Sequence, residues 1–193
     1  MKQLLDLFKE NNGIVKLSQV TEKGITKPTF YEYIKNNNIQ KVARGVYADE
    51  NAWIDKAYIL SIRCPGVILS HEEALYIHDL TDREPIKIAV TVKTGYNPSR
   101  LKEECKVYSV KKELHDVGKV YIKDSFGNSV PTYDIERTIC DIVRSRNSLD
   151  TYEVNEAIKR YVNRNDKNIN RLMKYARLFR VEKIISNYME MLL

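Results

Sequence analysis

The chain is short of cysteine, glycine and long apolar runs, and each shortage excludes something. Its three cysteines, Cys64, Cys105 and Cys140, lie far apart with no CxxC pair, so neither a zinc ribbon nor a disulfide framework is indicated. The seven glycines form no phosphate-cradling loop. No apolar run approaches the roughly 18 residues a membrane span needs, and mean hydropathy is −0.46. In the opening stretch, MKQLLDLFKENN, Asp6, Lys9 and Glu10 interrupt what would be the apolar part of an export signal. The expectation is a reduced, cytoplasmic, soluble protein with no membrane partner. What is present is ordinary globular material: 193 residues, 43% hydrophobic and 30% charged. A chain of this size buries roughly 70% of its unfolded surface without needing metal or disulfide.

The net charge of +6 is unevenly distributed. Residues 1–48 carry eight Lys/Arg against four Asp/Glu, residues 49–150 carry 15 against 17, and residues 151–193 carry nine against five. Two basic ends therefore flank a slightly acidic middle. Basic segments suit nucleic acid, because neutralising phosphates releases counterions. They also occur on surfaces that only meet water, so the motifs decide.

In the first fifty residues Met1, Leu4, Leu5 and Phe8 fall on one helical face, and Asn11-Asn12-Gly13 supplies a left-handed stop. Leu17 and Val20 share a face of a short second helix that ends at Gly24. Thr26 is an N-cap residue and Pro28 sits in the first turn of a third helix, where its missing donor costs little. Phe30, Tyr33, Ile34 and Asn37 line the inner side of that helix. Two β-prone runs, Ile39–Val42 and Val46–Ala48, surround the Gly45 turn and predict a hairpin. Three short helices and a hairpin make a winged helix-turn-helix, whose third helix enters the major groove of DNA. Pro28, Glu32 and Lys35 then point away from the core, flanked by Thr29 and Tyr31, with Thr26 and Lys27 at the helix start. Lys27 suits a phosphate there. Arg44 at the hairpin tip reaches the minor groove or backbone, and Lys16, Lys23 and Lys41 neutralise phosphates. The bland alternative is a three-helix packing module with a solvated polar face.

The run GIVKLSQVTEKGITKPTFYEYIKNNNIQKVARGVYA, and above all VARGVYA at 42–48, resembles the N-terminal domain of AbiEi-family antitoxins. VPTYDIERTICDIV at 130–143 is similar to a helix of the same family with an E-R-T-aliphatic-x-D core, filled here by Glu136, Arg137, Thr138, Ile139 and Asp141. The resemblance spans nearly the whole chain. It implies a bacterial type IV toxin–antitoxin system acting in abortive infection against phage. The antitoxin would repress its own operon at inverted repeats in double-stranded DNA. It would also counteract a nucleotidyltransferase-like toxin without a stable complex.

Beyond residue 50 the pattern predicts a helix from Trp53 to Cys64 on the stripe Ile54, Ala57, Tyr58 and Ile62, broken at Cys64-Pro65-Gly66. A short strand at Val67–Leu69 and a helix from Ser70 to Leu80 follow, the helix opened by a Ser70/Glu73 capping box. Strands are expected at Ile86–Val92, Cys105–Val110 and Val120–Ile122, with turns at Gly118 and Phe126–Asn128. Three helices close the chain, on the stripes Val154/Ala157/Ile158/Tyr161, Ile169/Leu172/Met173/Ala176 and Val181/Ile184/Ile185/Tyr188/Met189. The predicted fold class is α+β (mixed α/β). A winged helix-turn-helix at 1–50 precedes an antitoxin domain at 51–193, whose mixed core runs to about 150 and ends in a helical bundle. The outer faces of the last helices hold Lys159, Arg160, Arg164, Arg171, Lys174, Arg177 and Arg180, either a solvated surface, a second DNA-facing patch or a partner-docking surface.

Catalysis has little to stand on. His71 and His78 share a helix face near Glu72, Asp79 and Asp82, but their spacing fits no zinc site, and neither metal nor cofactor is expected. Asp134, Glu136 and Asp141 invite a nuclease reading. Yet Arg137 and Asp141 stand at i, i+4, a surface ion-pair spacing, and the strand KIAVTVK carries Val90 where a nuclease would need an acid. The expected function is therefore a DNA-binding antitoxin and not an enzyme. The alternative is a ligand-responsive winged-helix regulator with a pocket in residues 53–150.

Overall fold

Helices and strands alternate along the chain in the computed structural model, which describes residues 2–99, 101–124 and 127–192. The expectations placed on Met1 and Phe126 lie outside the described residues. The fold is α+β, with ten α-helices and two sheets among the described residues. It divides into two compact units, residues 1–65 with 122–130, and residues 66–121 with 131–193. This is not the division at residue 50 expected from sequence, because Ile59 of helix 56–63 is buried in a cluster with Ile14, Val46 and Ala48.

The first unit runs α1 (Lys2–Glu10), β1 (Ile14–Lys16), α2 (Leu17–Glu22), α3 (Lys27–Asn36), β2 (Gln40–Ala43), β3 (Val46–Ala48) and α4 (Lys56–Arg63). Helix α1 buries Leu4, Leu7 and Phe8, whereas Leu5, expected inside, is 46% exposed. At 100° per residue the i, i+3, i+4 set from Leu4 defines the inner face, and Leu5 turns off it. Strand β1 has no periodic signal of its own. It forms because β3 pairs antiparallel with it on one edge, Val15 opposite Tyr47, and with β2 on the other. Helix α4 starts three residues later than expected. Asp55 caps it by accepting from the Tyr58 N–H at 2.5 Å, which leaves Trp53 and Ile54 outside and exposed.

The second unit is built on a mixed sheet of order β6-β5-β4-β8-β7. Its strands are β4 (Ile68–Leu69), β5 (Ile88–Lys93), β6 (Cys105–Val110), β7 (Lys119–Lys123) and β8 (Ser129–Tyr133). The outer ends of β7 and β8 group with the first unit. Strand β4 pairs antiparallel with β5 and parallel with β8, and β5 pairs parallel with β6. The helices are α5 (His71–Ile77), α6 (Lys112–His115), α7 (Ile135–Arg144), α8 (Thr151–Val162), α9 (Ile169–Leu178) and α10 (Glu182–Leu192), with one 3-10 turn at Arg146–Ser148. The inner stripes of α8, α9 and α10 fall where periodicity places them and join Ile139, Cys140, Ile142 and Val143 of α7 in one core cluster. The stretch 129–133, which the resemblance places in a helix, is strand β8. Helix α7 begins only after Asp134, whose carboxylate accepts from the Arg137 N–H at 2.8 Å.

Residues 136–143 of α7 are all buried, so this stretch has no solvated face and the surface reading of Arg137 and Asp141 is overturned. Arg137 is 0% exposed. Its Nε donates to Asp141 Oδ2 at 3.0 Å, and its Nη1 donates to the carbonyls of Leu114 at 2.9 Å and Val117 at 2.5 Å. The guanidinium lies between the rings of Tyr133 and Phe179, 3.9 and 4.0 Å from their centroids. Such sandwiching offsets part of the cost of burying the charge. Glu136 accepts from the Asn168 N–H at 2.9 Å and the Tyr161 hydroxyl at 3.3 Å, and so ties α7 to α8 and the start of α9. Gly118 (φ +76°) is required beside this helix, because an added Cβ would stand 2.6 Å from Arg137 Cβ. The E-R-T-I-C-D run is thus an internal polar clamp and offers no carboxylate cluster to a substrate. Arg137→Ala, which strands Asp141 without its cation, should cost about 3–5 kcal/mol in urea unfolding, whereas Arg177→Ala, whose pairing with Glu182 is exposed on both sides, should cost under about 1 kcal/mol.

Candidate nucleic-acid interface

Helix α3 is held from behind by aromatic packing. Phe30 is fully buried and meets the Tyr47 ring edge-on at 5.1 Å, and Tyr33 stacks on Phe8 at 6.3 Å. Its N-terminus is set by Thr26, whose Oγ1 lies 3.5 Å from the Thr29 N–H and 2.9 Å from Thr29 Oγ1. Pro28 occupies the first turn as expected. The α2–α3 turn is closed by Gly24 and Ile25 donating to the carbonyls of Thr21 and Val20. At the hairpin tip Gly45 adopts φ +75°, and its carbonyl accepts from the Leu17 N–H at 2.8 Å, which pins the tip to the start of α2. The two elements that would meet a duplex are therefore fixed to one another through backbone hydrogen bonds.

The outward side of this frame carries the expected residues. Lys23, Thr26, Lys27, Pro28, Thr29, Tyr31, Glu32, Lys35, Lys41 and Arg44 are exposed or nearly so, and Lys16 is half-buried. Two inward assignments change. Ile34 is only half-buried, and Asn37 is exposed, capping the helix end with its amide donating to the Tyr33 carbonyl at 2.8 Å. Tyr31 is not a simple surface ring. It is 48% exposed and leans edge-on toward Tyr47 at 6.4 Å. Burial, then the Tyr31 hydroxyl, raises the Tyr47 phenol above its usual range. This pairing of α3 with β3 gives no signal in sequence, because the residues are separated by the turn and β2.

Charge compensation distinguishes the two basic regions. Among the described residues no ion pair engages Lys16, Lys23, Lys27, Lys35, Lys41 or Arg44. In the C-terminal set, Arg160 grips Asp82 through two nitrogens at 3.0 and 2.5 Å, and Arg164 grips Asp166 at 2.7 and 2.8 Å. Arg171 lies 3.5 Å from Glu136, and Arg177 lies 2.7 Å from Glu182. Lys159, Lys174 and Arg180 remain exposed. Exposed pairs add little stability, but each reduces the charge a phosphate would meet.

The histidines separate. His71 opens α5 at φ +50° with its ring buried, and burial holds its imidazole well below the usual range. His78 lies past the end of α5, its Nε2 2.7 Å from the Tyr133 carbonyl. The Ser70 cap also fails, since no side-chain cap bond forms; the Ser70 hydroxyl instead accepts from Thr91 Oγ1 at 2.8 Å and lies 3.0 Å from His71 Nδ1. No protein-family model matches the chain, and no curated protein matches it. Phe30→Ala should lower unfolding stability by about 3–5 kcal/mol, read by urea denaturation, since the ring is fully enclosed and its removal leaves a cavity beneath α3.

Proposed function

We propose that the first unit is a winged-helix DNA-binding module and that the protein is a transcriptional repressor of the AbiEi antitoxin kind. It acts in the cytoplasm on an operator with inverted repeats in its own promoter. It also counteracts a nucleotidyltransferase-like toxin without a lasting complex. The observation that carries the reading is the uncompensated outward face of α3 together with Arg44, backed by the Phe30–Tyr47 anchor. Helix, turn and pinned hairpin are what major-groove entry by α3 and backbone engagement by the tip require. Glu32 and Thr29 are the side chains suited to base edges, and Lys27, Lys35, Lys23 and Arg44 to phosphates. The resemblance of 42–48 and 130–143 supplies the antitoxin half of the reading. No helix among the described residues is long and apolar enough to cross a membrane.

A second reading, a repressor answering to a small ligand and unrelated to toxin control, draws on a cavity in the second unit lined by His71, Tyr108 and Arg144. A paired assay separates the two. One arm measures binding to the DNA upstream of the chain's own gene; the other measures growth when the neighbouring gene is expressed with and without this protein. Binding with rescue supports the antitoxin, binding without rescue the ligand-responsive repressor, and absence of binding ends both. In the binding arm, Lys35→Ala and Arg44→Ala should each weaken affinity while leaving the melting temperature unchanged. Each should also flatten the salt dependence, by roughly 0.9 log units of affinity per log unit of salt for every phosphate no longer neutralised. Arg160→Ala, whose guanidinium is already committed to Asp82, should change neither.

A further inference from the structure

The second unit holds a cavity of about 100 Å³ between α5, β5, β6 and the end of α7, lined by His71, Thr91, Tyr108, Asp141, Arg144 and Ser145 among others. Its wall contains a residue under constraint. His71 is 4% exposed, sits in the left-handed backbone region that a residue with a Cβ avoids, and stacks flat on Tyr108 with ring centroids 3.4 Å apart.

The direction of the hydrogen bonds around this ring can be read from one end. Thr91 Oγ1 donates to Ser70 Oγ at 2.8 Å. Ser70 is fully buried, so its own proton has one acceptor among the described residues, His71 Nδ1 at 3.0 Å. The neutral imidazole, kept so by burial and by Arg137, Lys106 and Arg144, then carries its proton on Nε2 and donates to Ser145 Oγ at 3.1 Å. The Ser145 proton is left without an acceptor among the described residues. A chain of four side chains thus runs one way and ends in a donor at the cavity wall, each link polarising the next. Arg144 lines the same cavity; it is exposed and makes no ion pair or hydrogen bond among the described residues. Asp141 also lines the space, but its Oδ2 accepts from Arg137, so two guanidiniums face one carboxylate.

We propose that this cavity is a binding site for a small oxyanion, the phosphate or carboxylate group of a metabolite, held by the Ser145 hydroxyl and the Arg144 guanidinium. An oxyanion offers acceptors to both donors at once and supplies the missing negative charge. The volume admits such a group and not a nucleoside or a drug-sized molecule, whose pockets run to about 300 Å³ or more. The site goes beyond the DNA-binding reading and needs no duplex.

The full chain is titrated, without DNA and at constant ionic strength in chloride, with sodium phosphate in one arm and sodium acetate in the other. Calorimetric heat and the His71 side-chain NMR signals are followed together. Saturable binding that moves the His71 signals in at least one arm is expected, and the arm that responds names the group. Ser145→Ala and Arg144→Gln should each weaken it by about tenfold or more, as removal of a charge-assisted bond requires. Arg144 is exposed, so Arg144→Gln carries the test even if Ser145→Ala melts early. Saturation in neither arm, or Arg144→Gln binding as tightly as the unaltered chain, overturns the site.

Discussion

The second unit depends on one buried cation. Arg137 is fully buried, and an unpaired guanidinium in that position would cost several kcal/mol. Every neighbour therefore answers to it. Asp141 provides the countercharge one turn along, α6 and the turn after it offer one carbonyl each, from Leu114 and Val117, and Tyr133 and Phe179 present ring faces from β8 and from the end of α9. The Tyr133 hydroxyl in turn donates to the His115 carbonyl at 2.8 Å, so the ring over Arg137 is itself held in place. Gly118 is the residue that lets the chain pass close enough. A network of this kind specifies one arrangement of α7 against the sheet, because any shift leaves a charge without its partners.

Electrostatics treat the two ends of the chain differently even though their formal charges are equal. Near the C-terminus Arg160, Arg164, Arg171 and Arg177 are each matched to a carboxylate. The planar guanidinium suits that use, since it engages both carboxylate oxygens at once. In the first unit the exposed cations are mostly lysine, and no carboxylate among the described residues pairs with those on the outward face. An uncompensated lysine on a rigid frame retains its charge for a phosphate and gives up little by exchanging water for it. Counting charges along the sequence does not show this difference, because it lies in which acids reach which bases.

Much of the frame is legible in the sequence. Thr26 and Pro28 mark the start of α3, Gly45 the hairpin and the apolar stripes the last three helices, because each is a local signal that tertiary packing only has to accept. What escapes is non-local. Strand β1 exists because β3 offers it an edge, and β8 passes for helix because its short apolar run sits directly before a strong helical pattern. The i, i+4 spacing of Arg137 and Asp141 describes a helix surface equally well whether water or rings lie beyond it. Ser70 has the sequence of a cap, yet Thr91, twenty-one residues on, and His71 claim its hydroxyl. On the outward side of α3, residue types and their exposure follow from the helical wheel. The tie between hairpin tip and α2, and the lean of Tyr31 on Tyr47, depend on residues that only the folded chain brings together.

Helix α7 also connects the clamp to the cavity. Arg137 and Asp141 occupy its middle, and Arg144 and Ser145 its last turn and cap, about 10 Å from Arg137 at roughly 1.5 Å of rise per residue. Asp141 belongs to both, bonded to Arg137 and lining the cavity. A charge placed beside Arg144 therefore acts on the helix that every layer of the unit grips, and not on a loop that could reorder alone. The free energy of occupying the site would accordingly emerge in the unfolding of the whole unit, growing as the logarithm of ligand concentration above its dissociation constant.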